Sequence, residues 1–279
     1  EYALQLIKTD GKTGRYITYR SAAFKIKQIQ DGSGKPMNVY VTQKVGLRTV
    51  DTFRTASSQL FLPTGTIYAS YEEKGTVTTP LKVKAGIYLI EEVETPAGFV
   101  KTSPLRIEVK ASGISEIKED GTQIVRREIV NQPVYGRLHL RKKLEEIKSD
   151  VSLVKPQDLS KVRFGMYAAD TIIDPADGSI LLHKGELFSS FYLNSDGTYL
   201  LDQIPLGSYD LKELEAPAGI LVEKKSFPMV ISQTDETTEI YDVQLQVTNQ
   251  LTYLEIVKEN MDGQVLTGAK LSLRRASDH

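Results

Sequence analysis

The sequence predicts an all-β fold built from tandem β-sandwich domains of the immunoglobulin-like or prealbumin-like kind. Short alternating runs rich in Val, Ile, Tyr, Phe and Thr recur along the whole chain, and helical periodicity is weak. Turn signals separate these runs, for example at 31–32, 120–121, 177–178 and 196–197, each of which reads Asp-Gly. Regular short strands of this kind are typical of β-sandwiches. Residues 144–159 are the exception, where a helical turn or a long loop is expected.

An internal repeat divides the chain. The segment 86–98 returns as 207–219, so that Glu92 and Glu213 occupy the same place 121 positions apart. A strand of the form Leu-x-Leu/Ile-x-Lys occurs at 4–8, at 138–142 and at 254–258. A strand that ends in Asn occurs at 129–131 and at 247–249. We therefore predict one domain with insertions over 1–133, a second over 134–250, and the truncated start of a third repeat over 251–279.

Composition excludes several function classes. The 279 residues include 35 basic and 36 acidic side chains, and the formal net charge of −1 gives no basic surface for nucleic acid or for a membrane. Cysteine is absent, so disulfides cannot stabilise the domains. The three histidines, His139, His183 and His279, show no metal-ligand spacing. No metal and no cofactor are expected, and no apolar run reaches the length of a membrane span.

Three polar residues of the first copy stand at positions where an apolar side chain is expected. Lys8, Glu92 and Asn131 each follow apolar residues at a spacing of two, which places their side chains on the inward face of a strand. Burying a lone charged group is very costly. Each of these groups therefore needs a partner in the core or must become uncharged.

The second copy repeats the pattern in the same order with Lys142, Glu213 and Asn249. Lys143 and Gln250, each one residue out of phase, are the alternatives if the register slips. Taken alone, such a Lys is usually solvated, such a Glu forms a surface ion pair, and such an Asn forms a turn. The recurrence of all three on the apolar phase favours a joint chemical role.

The ordered motifs resemble a known family. Leu-x-Leu-x-Lys, then Gly-x-Tyr-x-Ile/Leu-x-Glu-x-x-Thr/Ala-Pro-Ala-Gly, then Val-x-Asn or Ile-Val-Asn is similar to the collagen-adhesin B-type (Cna-B, prealbumin-like) domains of Gram-positive surface adhesins and pilins. Thr95 stands where that family usually has Ala, and Phe99 and Ile220 stand where Tyr is common. These departures affect packing and not the three polar positions.

The resemblance implies intramolecular isopeptide bonds, each formed once within its own domain with loss of ammonia. The implied cross-links are Lys8–Asn131 and Lys142–Asn249, with Glu92 and Glu213 as the catalytic carboxyls. Burial favours an uncharged, nucleophilic amine and a protonated carboxyl. That carboxyl can polarise the Asn carbonyl by a hydrogen bond and can carry protons to the leaving amine. Lys258 of the third repeat has no such partners in this sequence and is expected to stay unreacted.

The expected function is therefore that of a structural stalk in a cell-surface pilin or adhesin, and not that of an enzyme with turnover. The expected location is extracellular and anchored to the cell wall, with the anchor outside this fragment. Expected partners are other domains of the same surface protein, and either other pilus subunits or the host extracellular matrix. Two alternatives stay open: a host-ligand-binding adhesin module that uses the insertion at about 28–80, and a non-catalytic spacer of an extracellular enzyme.

Two motifs are interpreted as turns. Residues 62–65 read Leu-Pro-Thr-Gly, which lacks the variable residue of a sorting signal. Residues 174–178 read Asp-Pro-Ala-Asp-Gly, which lacks the ligand spacing of a calcium-binding loop.

Overall fold

A computed structural model describes residues 1–59, 73–79, 82–145, 158–252 and 256–272 of the chain. Within these ranges the regular structure consists of β-strands and two short 3-10 helices at Ala111–Gly113 and Leu159–Lys161. The predicted all-β fold class is thus confirmed. The 3-10 helix at Leu159 lies at the end of the stretch expected to be a helical turn or loop, but 146–157 lie outside the described residues, as do 62–65.

The strands between Ala3 and Asn131, called the first domain below, form a sandwich of two main sheets. One sheet has the strand order β10-β11-β1-β7, and the other has the order β3-β2-β8-β9, with β6 also paired to β2. Its strands are β1 (Ala3–Asp10), β2 (Ala23–Asp31), β3 (Pro36–Tyr40), β4 (Gln43–Val45), β5 (Arg48–Val50), β6 (Thr52–Arg54), β7 (Thr76–Thr78), β8 (Gly86–Glu94), β9 (Leu105–Val109), β10 (Glu116–Ile117) and β11 (Gln123–Asn131).

The strands between Tyr135 and Asn249, called the second domain below, repeat this plan. One sheet has the order β17-β12-β20, the other has the order β16-β13-β18-β19, and β14 and β15 form a separate hairpin. Its strands are β12 (Tyr135–Leu144), β13 (Arg163–Ala168), β14 (Ile172–Ile173), β15 (Ile180–Leu182), β16 (Leu187–Tyr192), β17 (Thr198–Ile204), β18 (Gly207–Glu215), β19 (Phe227–Ile231) and β20 (Ile240–Asn249).

In both domains the first and last strands are parallel neighbours. β1 pairs with β11 along its full length, and β12 pairs with β20 in the same way. Parallel pairing of chain-distant strands requires the whole domain to lie between them. A covalent bond between these two strands would therefore enclose almost the entire domain.

The repeated strands β8 and β18 form the centre of the second sheet in each sandwich. Along β8 the side chains alternate between buried and partly exposed, and Tyr88 and Ile90 lie in the core. Gly86 begins this strand with φ 155°, and a Cβ there would lie 2.3 Å from the carbonyl oxygen of Gln30. Glycine is required at this position because no larger residue fits against the neighbouring strand. The close fit fixes where β8 starts, and so where Glu92 falls.

Residues after Leu251 show little regular structure within the described part. Described residues 256–272 contain an isolated bridge between Glu259 and Val265 and no named strand. Lys258 is exposed there. Residues 253–255 and 273–279, which include part of the predicted third repeat and His279, lie outside the described residues.

Candidate functional site

Two facing sheets supply the three polar residues of the first domain. Lys8 on β1 pairs with Ile129 on β11, so Asn131 lies two positions further along the same face of that strand. Glu92 on β8 approaches from the opposite sheet, where it pairs with Phe24 of β2. The core between the two sheets is thus where the amine, the carboxyl and the amide meet.

The three groups of the first domain are in contact and are shielded from water. Lys8 Nζ lies 3.1 Å from Glu92 Oε1, although not in hydrogen-bond geometry. Asn131 Nδ2 donates to both carboxyl oxygens of Glu92 at 3.1 Å. The exposed fractions are 0% for Lys8, 4% for Glu92 and 1% for Asn131. The site therefore holds an amine and an amide on either side of one carboxyl group.

The second domain forms the same site with tighter contacts. Lys142 Nζ donates to Glu213 Oε1 at 2.7 Å, and Asn249 Nδ2 donates to Glu213 Oε2 at 2.6 Å. Lys142 pairs with Val247 of β20, so the offset between Lys and Asn is the same as in the first domain. All three residues are buried. Two independent copies of one arrangement indicate that the grouping serves a purpose.

Both carboxyls are also held by a backbone N–H that the sequence analysis did not identify. The N–H of Thr102 donates to Glu92 Oε2 at 2.8 Å, and that of Glu223 donates to Glu213 Oε2 at 2.9 Å. Each donor comes 10 residues after its carboxyl. Any residue but proline can supply this group, so only the constant spacing between the repeats could have revealed it.

Each amine also lies near an aromatic ring. Lys8 Nζ is 5.7 Å from the centre of the Phe24 ring, and Lys142 Nζ is 5.3 Å from that of Phe164. Phe24 lies on β2 and Phe164 on β13, and no sequence pattern places either ring beside an amine. The rings exclude water from the site while still tolerating a positive charge.

Burial changes the protonation of the amines. Loss of hydration lowers the pKa of Lys8 from its usual 10.5 to about 8, and the neighbouring Glu92 charge offsets only part of this effect. Burial likewise lowers the pKa of Lys142, again against the opposing effect of Glu213. Both amines are therefore easier to convert to the nucleophilic, uncharged form than a lysine in water.

The amide orientation differs from the expectation. The predicted polarising contact joins the carboxyl to the Asn carbonyl, but in both domains the carboxyl faces Nδ2. The Oδ1 atoms of Asn131 and Asn249 have no hydrogen-bond partner among the described residues. In the second domain Nδ2 also donates to the carbonyl oxygen of Leu221 at 2.6 Å, which fixes this orientation. Nδ2 is the atom that would leave as ammonia, so the observed contact suits proton delivery to the leaving group.

The alternative residues lie outside the site. Lys143 and Gln250 are exposed, as expected for positions on the opposite phase of their strands. His139 pairs with Asp242 at 2.7 Å on the surface. Among the described residues, no group of three His, Cys, Asp or Glu side chains could hold a metal ion. No helix within the same ranges is long and apolar enough to cross a bilayer.

The predicted cross-linking of Lys8 to Asn131 would depend on pH through one proton shared by Lys8 and Glu92. An uncharged amine beside a protonated acid carries the same single proton as an ion pair, so transfer within the pair does not depend on pH. The pKa of Lys8 is about 8, so above that pH the amine no longer carries the proton that it would pass to the carboxyl. The rate of bond formation in the first domain is expected to be flat at neutral pH and to fall about tenfold per pH unit above that value.

Mass spectrometry of newly synthesised chain transferred to buffers of different pH would measure this profile through the loss of ammonia. A rate that keeps rising through pH 9 and 10 would instead show that the free amine alone controls the reaction.

Comparison with known proteins adds a family match and several structural similarities. Residues 144–245 match the model of the SpaA prealbumin-like fold domain. The TIE protein of Bacillus anthracis is similar with a TM-score of 0.49 and 19% identity over 90% of this chain and 34% of that one. A streptococcal ancillary pilin gives a TM-score of 0.32 and 18% identity over 90% of this chain and 62% of that one.

A third similar structure is the C-terminal fragment of the pilus adhesin SpaC from Lactobacillus rhamnosus GG, with a TM-score of 0.47 and 14% identity over 92% of this chain and 100% of that one. The chain thus spans 34% of the length of the first of these proteins and 62% of the second. No curated protein gives a significant match.

The family match falls on the second domain, from the last residue of β12 into β20. This range contains Glu213, the Pro-Ala-Gly turn after it and the strands of the second sheet. The predicted resemblance to prealbumin-like domains is thereby confirmed for residues 144–245.

Proposed function

We propose that this chain is a stalk segment of a Gram-positive surface pilin or adhesin, in which each of two β-sandwiches cross-links itself once through a Lys–Asn isopeptide bond. The observation that carries the proposal is the buried contact of an amine, a carboxyl and an amide, which occurs twice at matching positions. The proposed location is the outside of the cell, in a protein anchored to the wall. The proposed partners are neighbouring domains and other subunits of the same surface structure.

The proposed reaction starts from the uncharged amine and the protonated carboxyl. Lys8 Nζ attacks Cγ of Asn131, and Glu92 accepts a proton from the attacking nitrogen while it delivers its own to Nδ2. The Cγ–Nδ2 bond then breaks, ammonia leaves, and an amide joins Nζ to Cγ. The carboxyl ends with one proton, as it began. Holding the groups in contact can replace about 7–11 kcal/mol of activation free energy, which makes a spontaneous reaction feasible.

Stabilisation by an ion pair is a poor explanation for the burial of Lys8 beside Glu92. Desolvating two charges in a core often costs as much as their attraction returns, so a buried pair alone is weak grounds for stability. An amide bond removes both the positive charge of the amine and the need for a buried counter-charge. The unfavourable free energy of burying Lys8 and Glu92 is therefore explained by the reaction for which this burial brings the groups together.

The cross-links would determine how the stalk carries force. Each bond joins the first strand of a domain to its last, and these strands are direct neighbours. Tension applied at the chain ends would pass through Lys8, the amide bond and Asn131 and would bypass the residues between them. Only short connectors would lie between one cross-link and the next.

Single-molecule pulling on the two ends tests this function. The chain from Lys8 to Asn131 has a contour length of about 430 Å. We expect no extension step of this size in the wild type, and one such step in Lys8→Ala. Lys143→Ala, which removes an exposed lysine, is the matched control and should behave as the wild type. A wild-type record that contains the full step would contradict a load-bypassing bond.

A second candidate function is ligand binding by the insertion in the first domain. The hairpin of β4 and β5 carries a fully exposed leucine, Leu47, at its turn. Such a side chain gives a protein ligand an apolar contact, although residues 60–72 of the same insertion lie outside the described ranges. A binding screen against extracellular-matrix proteins would test this candidate. Binding lost in Leu47→Glu would support it, and binding by neither protein would exclude it for the ligands screened.

A further inference from the structure

One short segment of the first domain connects its reactive site to the second domain. Residues 98–102 follow the Pro-Ala turn after β8. The N–H of Thr102 donates to the carboxyl of Glu92, and the N–H of Val100 donates to the carbonyl oxygen of Gln132 at 2.8 Å, next to Asn131. This segment therefore touches two of the three reactive residues directly or through an adjacent residue.

The second domain holds the same segment at Gly98, Phe99 and Lys101. The side chain of Gln233 accepts from the N–H of Gly98 at 2.8 Å and donates to the carbonyl oxygen of Phe99 at 2.9 Å. The N–H of Lys101 donates to the backbone carbonyl oxygen of Glu236 at 2.7 Å. These bonds fix the backbone on both sides of Val100, so the second domain helps to position the Thr102 N–H, together with the bond from the Thr102 hydroxyl to the carbonyl oxygen of Val130 at 2.6 Å.

A loop of the second domain completes the contact. Ala176 packs against Ile17 and Phe99, and all three are fully buried. The carbonyl oxygen of Ala176 accepts from the N–H of Thr18 at 2.7 Å, and the N–H of Ile17 in turn donates to the carbonyl oxygen of Lys8 at 2.8 Å. The Asp-Pro-Ala-Asp-Gly motif at 174–178, interpreted from sequence as a turn, thus forms the base of the junction.

Surface charges reinforce the same junction. Arg15 donates to Asp174 at 2.8 Å and to Asp177 at 3.0 Å, which brackets Ala176 on both sides. These pairs are partly solvated and add little free energy. They do add orientation, because two carboxylates hold one guanidinium.

The second domain provides an internal comparison. Its equivalent segment, 219–223, keeps the internal bonds: the N–H of Leu221 donates to the carbonyl oxygen of Gln250, and that of Glu223 donates to Glu213. Ile220, the counterpart of Phe99, bridges to Leu251. Within the described residues, no side chain there forms a pair of hydrogen bonds like those of Gln233 with Gly98 and Phe99. Among the described residues, the two sites therefore differ in whether a neighbouring domain holds their carboxyl-binding segment.

We propose that docking of the second domain positions Glu92 for reaction, so that the first-domain cross-link forms efficiently only once the second domain has folded and gripped residues 98–102. Gln233 is the main positioning residue, acting through the backbone from Gly98 to Thr102. This inference rests on the proposed isopeptide function. It makes the two bonds sequential: the second domain reacts on its own, and the first domain follows.

The test compares the two sites within one chain. The 279-residue chain is produced by cell-free synthesis and sampled over time, and digestion followed by mass spectrometry determines the cross-linked fraction at each site. In Gln233→Ala we expect bond formation in the first domain to slow by about ten- to a hundredfold, as for a catalytic group displaced by about an ångström, with the second-domain rate unchanged. Gln246→Ala, which removes an exposed glutamine of the same domain, should leave both rates unchanged.

Equal rates at the first site in Gln233→Ala and in the wild type would overturn the inference. If bond formation slowed at both sites in Gln233→Ala, the same measurement on Ala176→Arg would decide, because Ala176 lies outside the two main sheets of the second domain. Slower bond formation at the first site alone would support the inference. Equal slowing at both sites, or slowing at neither, would overturn it. Absence of either bond in the wild type would instead refute the proposed function.

Discussion

In the Glu92→Ala variant, the first domain is expected to retain both Lys8 and Asn131 and to form no bond between them. Glu92 lies between the amine and Nδ2 and is the group placed to carry the proton from one to the other. General acid–base catalysis of this kind contributes about 10²- to 10⁴-fold. Removing the carboxyl also leaves Lys8 buried without a counter-charge. Breaking a buried ion pair in this way lowers the free energy of unfolding by about 3–5 kcal/mol.

The control for this experiment is the preceding residue. Glu91 points to the other face of β8, where it accepts a hydrogen bond from Tyr40. Glu91→Ala should form the first-domain bond in full, and in both variants the bond between Lys142 and Asn249 should form. Intact mass separates the outcomes, because Glu92→Ala should lose one ammonia and Glu91→Ala two. Two ammonia lost from folded Glu92→Ala would show that the carboxyl has no catalytic role.

Asn131→Ala is expected to reduce the stability of the first domain mainly through loss of the cross-link, because it leaves the amine and the carboxyl together. A bond between the first strand and the last restricts the unfolded chain. In the chain-entropy model, closing a loop of about 100 residues raises the free energy of unfolding by about 4.7 kcal/mol. For a domain of this size the loss corresponds to a fall in Tm of roughly 10–20 °C. Calorimetry of the full chain would resolve the transitions of the two domains.

The comparison variant is Asn38→Ala, on the exposed strand β3. It should leave Tm within about 2 °C of the wild type, as surface substitutions generally do. The hydrogen bonds lost with Asn131 account for about 1–2 kcal/mol, which is less than the expected effect of the cross-link. A first-domain transition that moves no further than in Asn38→Ala would contradict a covalent clamp.

Much of the fold and of the site could be predicted because both follow from strand periodicity and from the repeat. Lys8, Glu92 and Asn131 stand on the apolar phase of strands whose other members are core residues, and phase determines the face of the sheet. The repeat then shows that the same three types recur in order, which no surface pattern requires. The structure places both trios in contact and leaves Lys143 and Gln250 exposed.

The remaining features depend on contacts that have no sequence signature. The backbone N–H of Thr102 is chemically the same as that of any residue, so only the fold shows that it meets Glu92. The junction of Ala176 with Ile17 and Phe99 joins residues from two domains, and a small apolar residue in a turn does not predict a buried contact. The orientation of the Asn249 amide is set by the carbonyl of Leu221, which is likewise a product of the tertiary structure.

The intact mass of the full-length folded protein tests the central claim most directly. If the amine and the amide in each core have fused, the mass falls below the value calculated from the sequence by two molecules of ammonia, and digestion yields branched peptides that join Lys8 to Asn131 and Lys142 to Asn249. A well-folded protein with the full calculated mass would contradict the claim and leave two sandwiches with buried but unreacted polar clusters.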